Sequence, residues 1–261
     1  MIRILHVGDV VGSPGRSAFG LGLAELRAER PIDVVIVNAE NSAGGRGLTP
    51  KLADAFFEAG ADILTLGDHA WDQKELMPHL SSEKRIVRPA NFTAAAPGQG
   101  YAEVQTATGV VGVLQVIGRV FMHPSECPFA AADRAIQRFS PAVRVIIAEI
   151  HAEATSEKIA FGRHLDGRVS SVAGTHTHVQ TADERILPGG TAYISDLGMT
   201  GPTESVLGRS IEPVLRKFRT GLPGTFPVAT GPAALQGVLL EIDERTGKAR
   251  RIERVNRVLT S

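Results

Sequence analysis

The most informative stretch of this chain is Asp33-Val34-Val35-Ile36-Val37-Asn38-Ala39-Glu40-Asn41. The β-branched run 34–37 favours a strand, and its unbroken apolarity is typical of a strand that is covered on both faces. Polar side chains follow at once, which suits the rim of an active site. A capped turn leading into the glycine-rich loop 44–47 explains the polar residues equally well when this segment is taken alone.

The neighbouring segments repeat this arrangement and predict parallel pairing with helical crossovers. Thr49 is a suitable N-cap for the second helix, Pro50 suits its first position and Gly60 ends it. The predicted elements are strand Ile2–Val7, helix 15–29, strand Asp33–Val37, helix Pro50–Ala59, strand Ala61–Leu66 and a short helix Trp71–Leu80.

The rest of the chain predicts a mixture of hairpins, helices and further strands. These elements are the antiparallel hairpin 100–106/110–117, helix Ala130–Phe139, strand Val143–Ile150, helix Ser156–Gly162, strand Val169–Ala173, short strands Ile186–Leu187 and Thr191–Ser195, helix 210–219, and antiparallel strands Thr225–Ala229, Ala234–Ile242 and Ala249–Val255. We therefore expect an α/β fold with a mixed sheet, or two stacked sheets, flanked by helices. No linker or repeat divides the chain, so residues 1–261 are expected to form a single domain.

The composition excludes several classes of protein. Lys+Arg and Asp+Glu are equal at 28 each, and aromatic residues make up 5%, which is poor material for a nucleic-acid stacking platform. The single cysteine, Cys127, cannot form an intramolecular disulfide. The N-terminus enters a strand pattern without a signal peptide, and no apolar run reaches the roughly 18 residues of a membrane span. We expect a cytoplasmic protein that binds neither membranes nor, stably, nucleic acid.

Five polar signatures each follow a predicted buried strand. They supply Asp9, then Glu40 and Asn41, then Asp68 and His69, then His151, and finally His176 and His178. Each has an ordinary structural explanation, but five such explanations at five strand ends are improbable together. Because parallel strands gather their ends at one edge, these groups can meet in space. The pattern predicts a divalent metal site.

The residue types suggest individual roles. Glu40 can bridge two metals with its two oxygens, Asp68 can bind a metal, and His69 can donate a proton to a leaving oxygen. On an extended segment, the spacing of His176 and His178 puts both imidazoles on one face. Trp71, the only tryptophan, is expected to pack rather than to stack on a base.

The absence of cysteine ligands argues against a structural zinc site. Oxygen and nitrogen ligands suit manganese, iron, zinc or magnesium, and the residue types alone do not choose among them. Two such ions would hold a bridging hydroxide as nucleophile and would clamp the oxygens of an in-line phosphoryl displacement.

At these residues the sequence resembles the YmdB-like branch of the calcineurin-like metallophosphoesterases, over almost the whole chain. The resemblance is carried by the strings Gly8–Arg16, Asn38–Asn41, Val87–Phe92, His151–Lys158, Gly174–Asp183 and Gly198–Pro202. It implies the calcineurin-like fold, with mixed sheets stacked as a sandwich and flanked by helices. It also implies a 2′,3′-cyclic-nucleotide 2′-phosphodiesterase with two divalent ions, iron or manganese ahead of zinc or magnesium.

The resemblance also implies a set of ligands. Asp9, Glu40, Asn41 and His178 would bind one metal, and Glu40, Asp68, His151 and His176 the other, with Glu40 bridging. His69 matches the proton donor of the family. Val11 stands where many other metallophosphoesterases have a histidine, as is usual in this branch.

One departure concerns Asp68, where the family has asparagine. With asparagine, Asp9, Glu40 and a hydroxide give −3 against +4 from two ions, whereas Asp68 makes this −4 against +4. An aspartate also cannot donate the hydrogen bond that an amide would give to a phosphate oxygen. We hypothesise that Asp68 binds metal but slows the turnover of an anionic substrate.

The leading interpretation is a phosphodiesterase acting on a small nucleotide, with homo-oligomer formation also expected. Candidates for phosphate or ribose contact are Arg16, Arg46, Arg88 and Arg119, and the alternative for each is a solvated surface arginine. A phosphomonoesterase would share the metals and differ in pocket shape. A regulatory nucleotide- or metal-binding protein with weak catalysis is the alternative from another class.

Overall fold

The computed structural model describes residues 1–259 as two β-sheets packed face to face, with helices on the outer surfaces. In chain order the strands are β1 (Ile2–Val7), β2 (Asp9–Val10), β3 (Val34–Asn38), β4 (Ile63–Thr65), β5 (Ile86–Val87), β6 (Tyr101–Thr106), β7 (Gly109–Ile117), β8 (Val143–His151), β9 (Ser171–Thr175), β10 (Arg185–Ile186), β11 (Ala192–Ile194), β12 (Met199–Pro202), β13 (Ala233–Ile242) and β14 (Ala249–Leu259). The helices are α1 (Gly12–Glu29), α2 (Pro50–Glu58), α3 (Leu76–Ser82), α4 (Pro128–Ile136), α5 (Thr155–Leu165) and α6 (Ile211–Thr220).

Each sheet combines a run of four parallel strands with antiparallel pairings. The first sheet runs β2-β12-β13-β1-β3-β4-β5, with β14 also paired to β13, and its strands β1, β3, β4 and β5 are parallel. The second runs β10-β11-β9-β8-β7-β6, and its strands β7, β8, β9 and β11 are parallel. The carboxyl ends of each parallel set therefore lie along one edge of its sheet.

The strands bury side chains on both faces. Ile4 and Ile36 of the first sheet share an inner core with Val113 and Ile147 of the second. Val35, next to Ile36 on β3, instead belongs to an outer core. Since successive side chains point to opposite faces of a strand, this alternation explains why residues 34–37 are all apolar.

The outer cores are formed by helices on each sheet. On the first sheet Phe19 of α1 and Phe56 of α2 pack with ring centroids 5.4 Å apart. On the second, Phe161 of α5 lies in a cluster with residues of α4, β8 and β9. No helix within residues 1–259 combines the length and apolarity required to cross a membrane.

Most predicted elements are present, with shifted ends. The hydroxyl of Thr49 caps α2 by accepting a hydrogen bond from the Leu52 N–H at 3.2 Å, as predicted. The hairpin of β6 and β7 is also confirmed. The helix predicted from Trp71 begins only at Leu76, because turns occupy the preceding residues.

One predicted strand is wrong. Residues 225–229 form no strand, and only an isolated bridge joins Val228 to Arg209. A short segment of residues with high β propensity forms a strand only when a neighbouring strand can hydrogen-bond along its length. The segment beside residues 225–229 consists mainly of turns and bends.

Candidate metal centre

The predicted metal-binding side chains come together where the two parallel strand sets end. Asp9 follows β1, Glu40 and Asn41 follow β3, and Asp68 follows β4, all in the first sheet. From the second sheet, His151 is the last residue of β8, while His176 and His178 follow β9. The site is thus built from both sheets of the sandwich.

Four of these side chains form a tight cluster. Ligand atoms of Glu40, Asp68, His151 and His176 all lie within 4.8 Å of one another. Nε2 of His151 lies 3.0 Å from Glu40 Oε1, 3.0 Å from Asp68 Oδ1 and 3.0 Å from His176 Nδ1. Nε2 of His151 thus faces three possible hydrogen-bond acceptors and carries at most one hydrogen to donate to them.

The other three side chains form a second group. Nε2 of His178 lies 3.2 Å from Asn41 Oδ1 and 3.8 Å from Asp9 Oδ1. Asp9 Oδ1 also lies 3.9 Å from His151 Nδ1, which places the two groups side by side. Among residues 1–259 this buried oxygen of Asp9 has no hydrogen-bond partner.

In His151, His176 and His178, the ring nitrogen that faces away from the other ligand candidates lies next to an oxygen atom. Nδ1 of His151 lies 2.9 Å from Thr175 Oγ1, and Nε2 of His176 lies 3.3 Å from Glu153 Oε2. Nδ1 of His178 donates to the Leu207 carbonyl at 3.3 Å. Histidines that bind metals usually donate their second N–H in this way, which fixes the tautomer and the ring orientation.

The donor set fits cations. The Leu207 carbonyl can only accept, so the neutral His178 ring presents a lone pair on Nε2 towards Asn41 Oδ1. Asn41 Nδ2 donates to the Gly45 carbonyl at 3.3 Å, which fixes the direction of its oxygen. Two acceptors that face each other beside an unpaired carboxylate oxygen are stabilised by a positive ion. These residues therefore support the use of divalent metal.

The pKa shifts of the buried groups are consistent with a need for positive charge. Burial raises the pKa of Asp9 to about 8, which the neighbouring His151 opposes and Glu40 and Asp196 reinforce. Burial lowers the pKa of His151, but the carboxylates of Glu40 and Asp68 outweigh it and the pKa lies above its ordinary value. For Asp68, hydrogen bonds from His151 and His176 outweigh the effect of burial and lower the pKa. A bound cation would take the place of such protons.

The backbone at His176 and His178 differs from the prediction of an extended segment. Strand β9 ends at Thr175, and the two histidines have φ angles of 97° and 63°, in the left-handed region. Their imidazoles consequently enter different groups of the site rather than sharing one strand face. Such strained conformations persist only where the surroundings hold them.

A buried ion pair holds this turn. Thr177, between the two histidines, donates its hydroxyl to Asp196 Oδ2 at 2.6 Å and its N–H to the same oxygen at 3.2 Å. Lys158 Nζ lies 2.7 Å from that oxygen, and both charged side chains are buried. The sequence reading missed Lys158 and Asp196, because their pairing joins α5 to the segment after β11.

Gly67 allows the two sheets to approach each other at the site. A Cβ at this position would collide with Glu40 Oε2 and would lie 2.6 Å from the His151 ring. A larger residue would therefore displace the acidic and the imidazole ligand candidates together.

The proton-donor candidate His69 lies at the edge of the four-residue cluster. Its backbone N–H donates to Glu40 Oε2 at 3.1 Å, and its side-chain Nδ1 lies 3.2 Å from Asp72 Oδ2. Asp72 also pairs with Arg46 at 3.1 Å. Asp72 was not identified from the sequence, and its carboxylate orients the imidazole so that Nε2 is the nitrogen left for a substrate.

The four arginine candidates lie in different environments. Arg88 is buried and donates to the carbonyls of Pro89 at 2.8 Å and Pro97 at 3.0 Å, so the alternative of a solvated surface arginine is wrong for this residue. Arg16 donates to the Ser42 carbonyl at 2.5 Å, beside Asn41. Arg119 is exposed.

A buried carboxylate that the sequence reading missed lies beneath the site. Glu149 on β8 is fully buried and accepts hydrogen bonds from side chains of both sheets. Its donors are Thr65 Oγ1 at 2.7 Å, Gln115 Nε2 at 2.7 Å, Asn38 Nδ2 at 2.8 Å and Thr175 Oγ1 at 2.9 Å, and His6 Nε2 lies at 3.0 Å. Because Thr175 donates its hydroxyl to Glu149, it must accept from His151 Nδ1, which directs Nε2 of that histidine into the cluster.

Replacing Glu149 by glutamine is expected to lower the free energy of unfolding by about 3–5 kcal/mol, the usual cost of breaking a buried, fully hydrogen-bonded pair. Burial opposes ionisation, but the hydrogen bond and charge of His6 outweigh it and lower the pKa of Glu149 to about 2. Its stabilising effect is therefore present above the unfolded-state pKa and is lost as the pH falls towards 2. Urea unfolding at neutral pH measures the change. The exposed control Glu58→Gln should stay within about 0.5 kcal/mol, and an equally small effect at Glu149 would contradict this role.

Comparison with known proteins places the chain in a family. A family model described as YmdB-like protein matches residues 5–255. The chain belongs to the YmdB-like family. The resemblance predicted from the sequence motifs is thereby confirmed.

Relatives of this YmdB-like chain include an enzyme of stated activity. The chain is 46% identical, over 97% of its length and 96% of the relative, to a 2′,3′-cyclic-nucleotide 2′-phosphodiesterase of Bacillus subtilis. It also resembles a crystal structure described as a novel phosphatase from Mycoplasma pneumoniae, with a TM-score of 0.92, 36% identity, and coverage of 98% of this chain and 93% of the other.

A more distant likeness concerns the fold of the YmdB-like chain alone. The NAD nucleotidase of Haemophilus influenzae matches with a TM-score of 0.59 and 14% identity, covering 98% of this chain and 56% of that one. The two-sheet α/β architecture is therefore shared with a nucleotidase.

Proposed function

We propose that this protein is a metal-dependent phosphodiesterase that hydrolyses 2′,3′-cyclic nucleotides at the 2′ ester bond. The observation that carries the proposal is the convergence of seven side chains of metal-binding type from five strand ends, with His69 beside them. The 46% identity to a 2′,3′-cyclic-nucleotide 2′-phosphodiesterase supports the substrate class.

The proposed ligand sets follow the two groups of side chains. Asp9, Asn41 and His178 would hold one divalent ion, and Asp68, His151 and His176 the other. Glu40 would serve both, because its Oε1 lies 3.0 Å from His151 Nε2 and its charge also acts on Asp9. The family resemblance favours iron and manganese over zinc and magnesium as these ions. When bound, the ions would polarise the phosphate oxygens and lower the pKa of a water that serves as nucleophile.

The protein's own groups would then position the substrate and move the proton. As the bond from phosphorus to O2′ breaks, Nε2 of His69 would donate a proton to O2′, leaving a nucleoside 3′-phosphate. Asp72 would keep Nδ1 of the ring engaged and stabilise the protonated form. The Glu40 carboxylate fixes the His69 backbone at the same time.

The proposal is tested by supplying the purified protein with 2′,3′-cyclic AMP and with manganese, iron, zinc or magnesium in turn. The expected product is adenosine 3′-phosphate, identified by chromatography. Exclusive formation of the 2′-phosphate, or no turnover with any of the ions, would contradict the assignment.

Replacing Asp68 by asparagine is expected to raise kcat/KM for 2′,3′-cyclic AMP about tenfold, which corresponds to about 1.4 kcal/mol. The change removes one negative charge from the cluster and adds an amide donor for a phosphate oxygen. Metal affinity should fall in the same variant, because an amide oxygen is the weaker ligand. Steady-state kinetics at saturating metal measures the effect, with the exposed Asp54→Asn as control. Equal or lower activity in Asp68→Asn would contradict the hypothesis that Asp68 slows turnover.

A phosphomonoesterase would use the same metals and a different pocket. Relative rates on a diester and a monoester of one chromogenic alcohol separate the two activities. A regulatory nucleotide-binding protein with weak catalysis would bind 2′,3′-cyclic AMP tightly and leave it intact with every metal.

Four further expectations accompany the proposal. We assign the two stacked sheets to the calcineurin-like fold, and we treat residues 1–261 as one domain because the inner core draws side chains from both sheets. A homo-oligomer and a cytoplasmic location stay predictions. Light scattering of the purified protein tests the first of these two, and cell fractionation tests the second.

A further inference from the structure

We propose that a cavity lined in part by Trp71, which we call the Trp71 cavity, is the subsite for the nucleobase of the substrate. It has a volume of about 440 Å³ and is lined by Trp71, Asn91, Phe92, Thr93, Pro124 and Ser125, among others. This volume lies within the usual range of small-molecule sites. The assignment rests on the proposed function and names the part of the substrate that this surface receives.

Both walls of the Trp71 cavity are linked to residues of the metal centre. On one side Trp71 follows His69 by two residues, so their Cα atoms are at most about 7 Å apart. On the other side the Asn91 side chain brackets Ile117, accepting from its N–H at 2.8 Å and donating to its carbonyl at 2.7 Å. Ile117 is the residue of β7 that pairs with His151. A nucleotide whose phosphate lies between the metal ligands can therefore reach this cavity with its base.

The aromatic surface of the Trp71 cavity suits a flat ring. Trp71 and Phe92 lie with ring centroids 5.7 Å apart and planes inclined at 41°. Both are only partly buried, packing against the outer core of the first sheet on one side and lining the cavity on the other. Trp71 does pack, as the sequence suggested, and its remaining surface is available for stacking.

The loop that closes the cavity is anchored before any ligand binds. Gly118 donates its N–H to the His151 carbonyl at 2.9 Å, and the Glu157 carboxylate accepts from the Arg119 N–H at 3.0 Å and the Val120 N–H at 3.3 Å. These contacts fix the start of the segment that carries Pro124 and Ser125. The cavity is thus largely preformed, which lowers the entropy lost on binding.

The amide and carboxylate side chains around the cavity are already engaged. The Asn91 amide is committed to Ile117, Ser125 and Glu126, and the Glu126 carboxylate pairs with Arg134 at 2.5 Å. The subsite thus offers stacking and shape rather than a set of hydrogen bonds that would distinguish one base from another. Stacking tolerates every base, so the enzyme should accept all four 2′,3′-cyclic nucleotides, with purines ahead of pyrimidines because of their larger faces.

The only tryptophan of the chain gives a direct readout of binding. Adenosine 3′-phosphate added to the metal-loaded protein should quench the fluorescence of Trp71 in a saturable manner. Ribose 3-phosphate, which carries the same phosphate and no base, should leave the fluorescence unchanged. Equal responses to the two compounds, or no response to either, would overturn the subsite.

A kinetic comparison tests the same surface by a second route. We compare kcat/KM for 2′,3′-cyclic AMP with kcat/KM for methyl ribofuranoside 2′,3′-cyclic phosphate, a diester without a base. Trp71→Ala should lower this ratio about tenfold, and Trp71→Phe should restore most of it. Phe218→Ala, at an 81% exposed position on α6, is the matched control and should not change the ratio. An unchanged ratio in Trp71→Ala would overturn the assignment.

The outcomes separate this inference from the proposed function. Hydrolysis of 2′,3′-cyclic AMP without quenching, and with an unchanged ratio in Trp71→Ala, would overturn the subsite and leave the function standing. Saturable quenching by adenosine 3′-phosphate without any hydrolysis would support the subsite and remove the function.

Discussion

Replacing Glu40 by glutamine is expected to lower both metal affinity and kcat/KM by more than about 100-fold. Changing a residue that only supports a metal ligand typically lowers metal affinity or activity by about 10–100-fold. Glu40 is proposed as a direct ligand of both ions, so a larger loss is expected. Its Oε1 lies 3.0 Å from His151 Nε2, and its Oε2 accepts from the His69 N–H at 3.1 Å. Glutamine would place an amide donor at one of these two positions and would remove a charge that two cations share.

The Glu40 prediction is checked by isothermal titration with manganese and by steady-state kinetics over a range of metal concentrations. Glu58→Gln makes the same chemical change at an exposed position of α2 and serves as control. Normal activity and normal metal content in Glu40→Gln would show that this carboxylate does not hold the metals.

Replacing His69 by glutamine should lower kcat for 2′,3′-cyclic AMP by about 10²–10⁴-fold, the usual contribution of a positioned general acid. The loss should be far smaller for a diester with a 4-nitrophenol leaving group, because nitrophenolate departs without needing a proton. Metal content should stay normal, since the His69 side chain lies outside the four-residue metal cluster.

The two substrates make the His69 test specific. A merely structural role would lower both rates to the same extent, whereas a proton donor affects mainly the poor leaving group. His164→Gln, which alters a half-exposed histidine paired with Asp133, is the control. Equal losses on the two diesters would contradict the assigned role.

The strands that lead into the site were predictable because local sequence determines them. Residues 34–37 alternate between two apolar environments, so an unbroken apolar run marks a strand that is covered twice. The polar residues that follow it then lie at the sheet edge, and family motifs added the grouping of Asp9, Glu40 and His178. The Thr49 cap is equally local, since its hydroxyl contacts an N–H three residues away.

The supporting groups could not be predicted in the same way. Glu149 is hydrogen-bonded to residues of five other strands. No single segment of the sequence determines which strands face each other across the two sheets. The available signal was a lone acidic residue inside the apolar run 145–150. The pairing of Lys158 with Asp196 likewise depends on packing between distant elements.

The prediction that His176 and His178 lie on an extended segment was wrong. Residues two apart lie on the same face only if the chain is extended. Strand β9 ends at Thr175, one residue before His176. Both histidines have positive φ angles, and Thr177 between them is hydrogen-bonded to the buried Asp196. Functional sites are where such local rules are expected to fail.

The metal content of the purified protein, measured together with its activity, tests the central claim most directly. Elemental analysis should find about two divalent ions per chain, and chelation should abolish hydrolysis of 2′,3′-cyclic AMP until manganese or iron is restored. Full activity in protein stripped of metal would contradict the account.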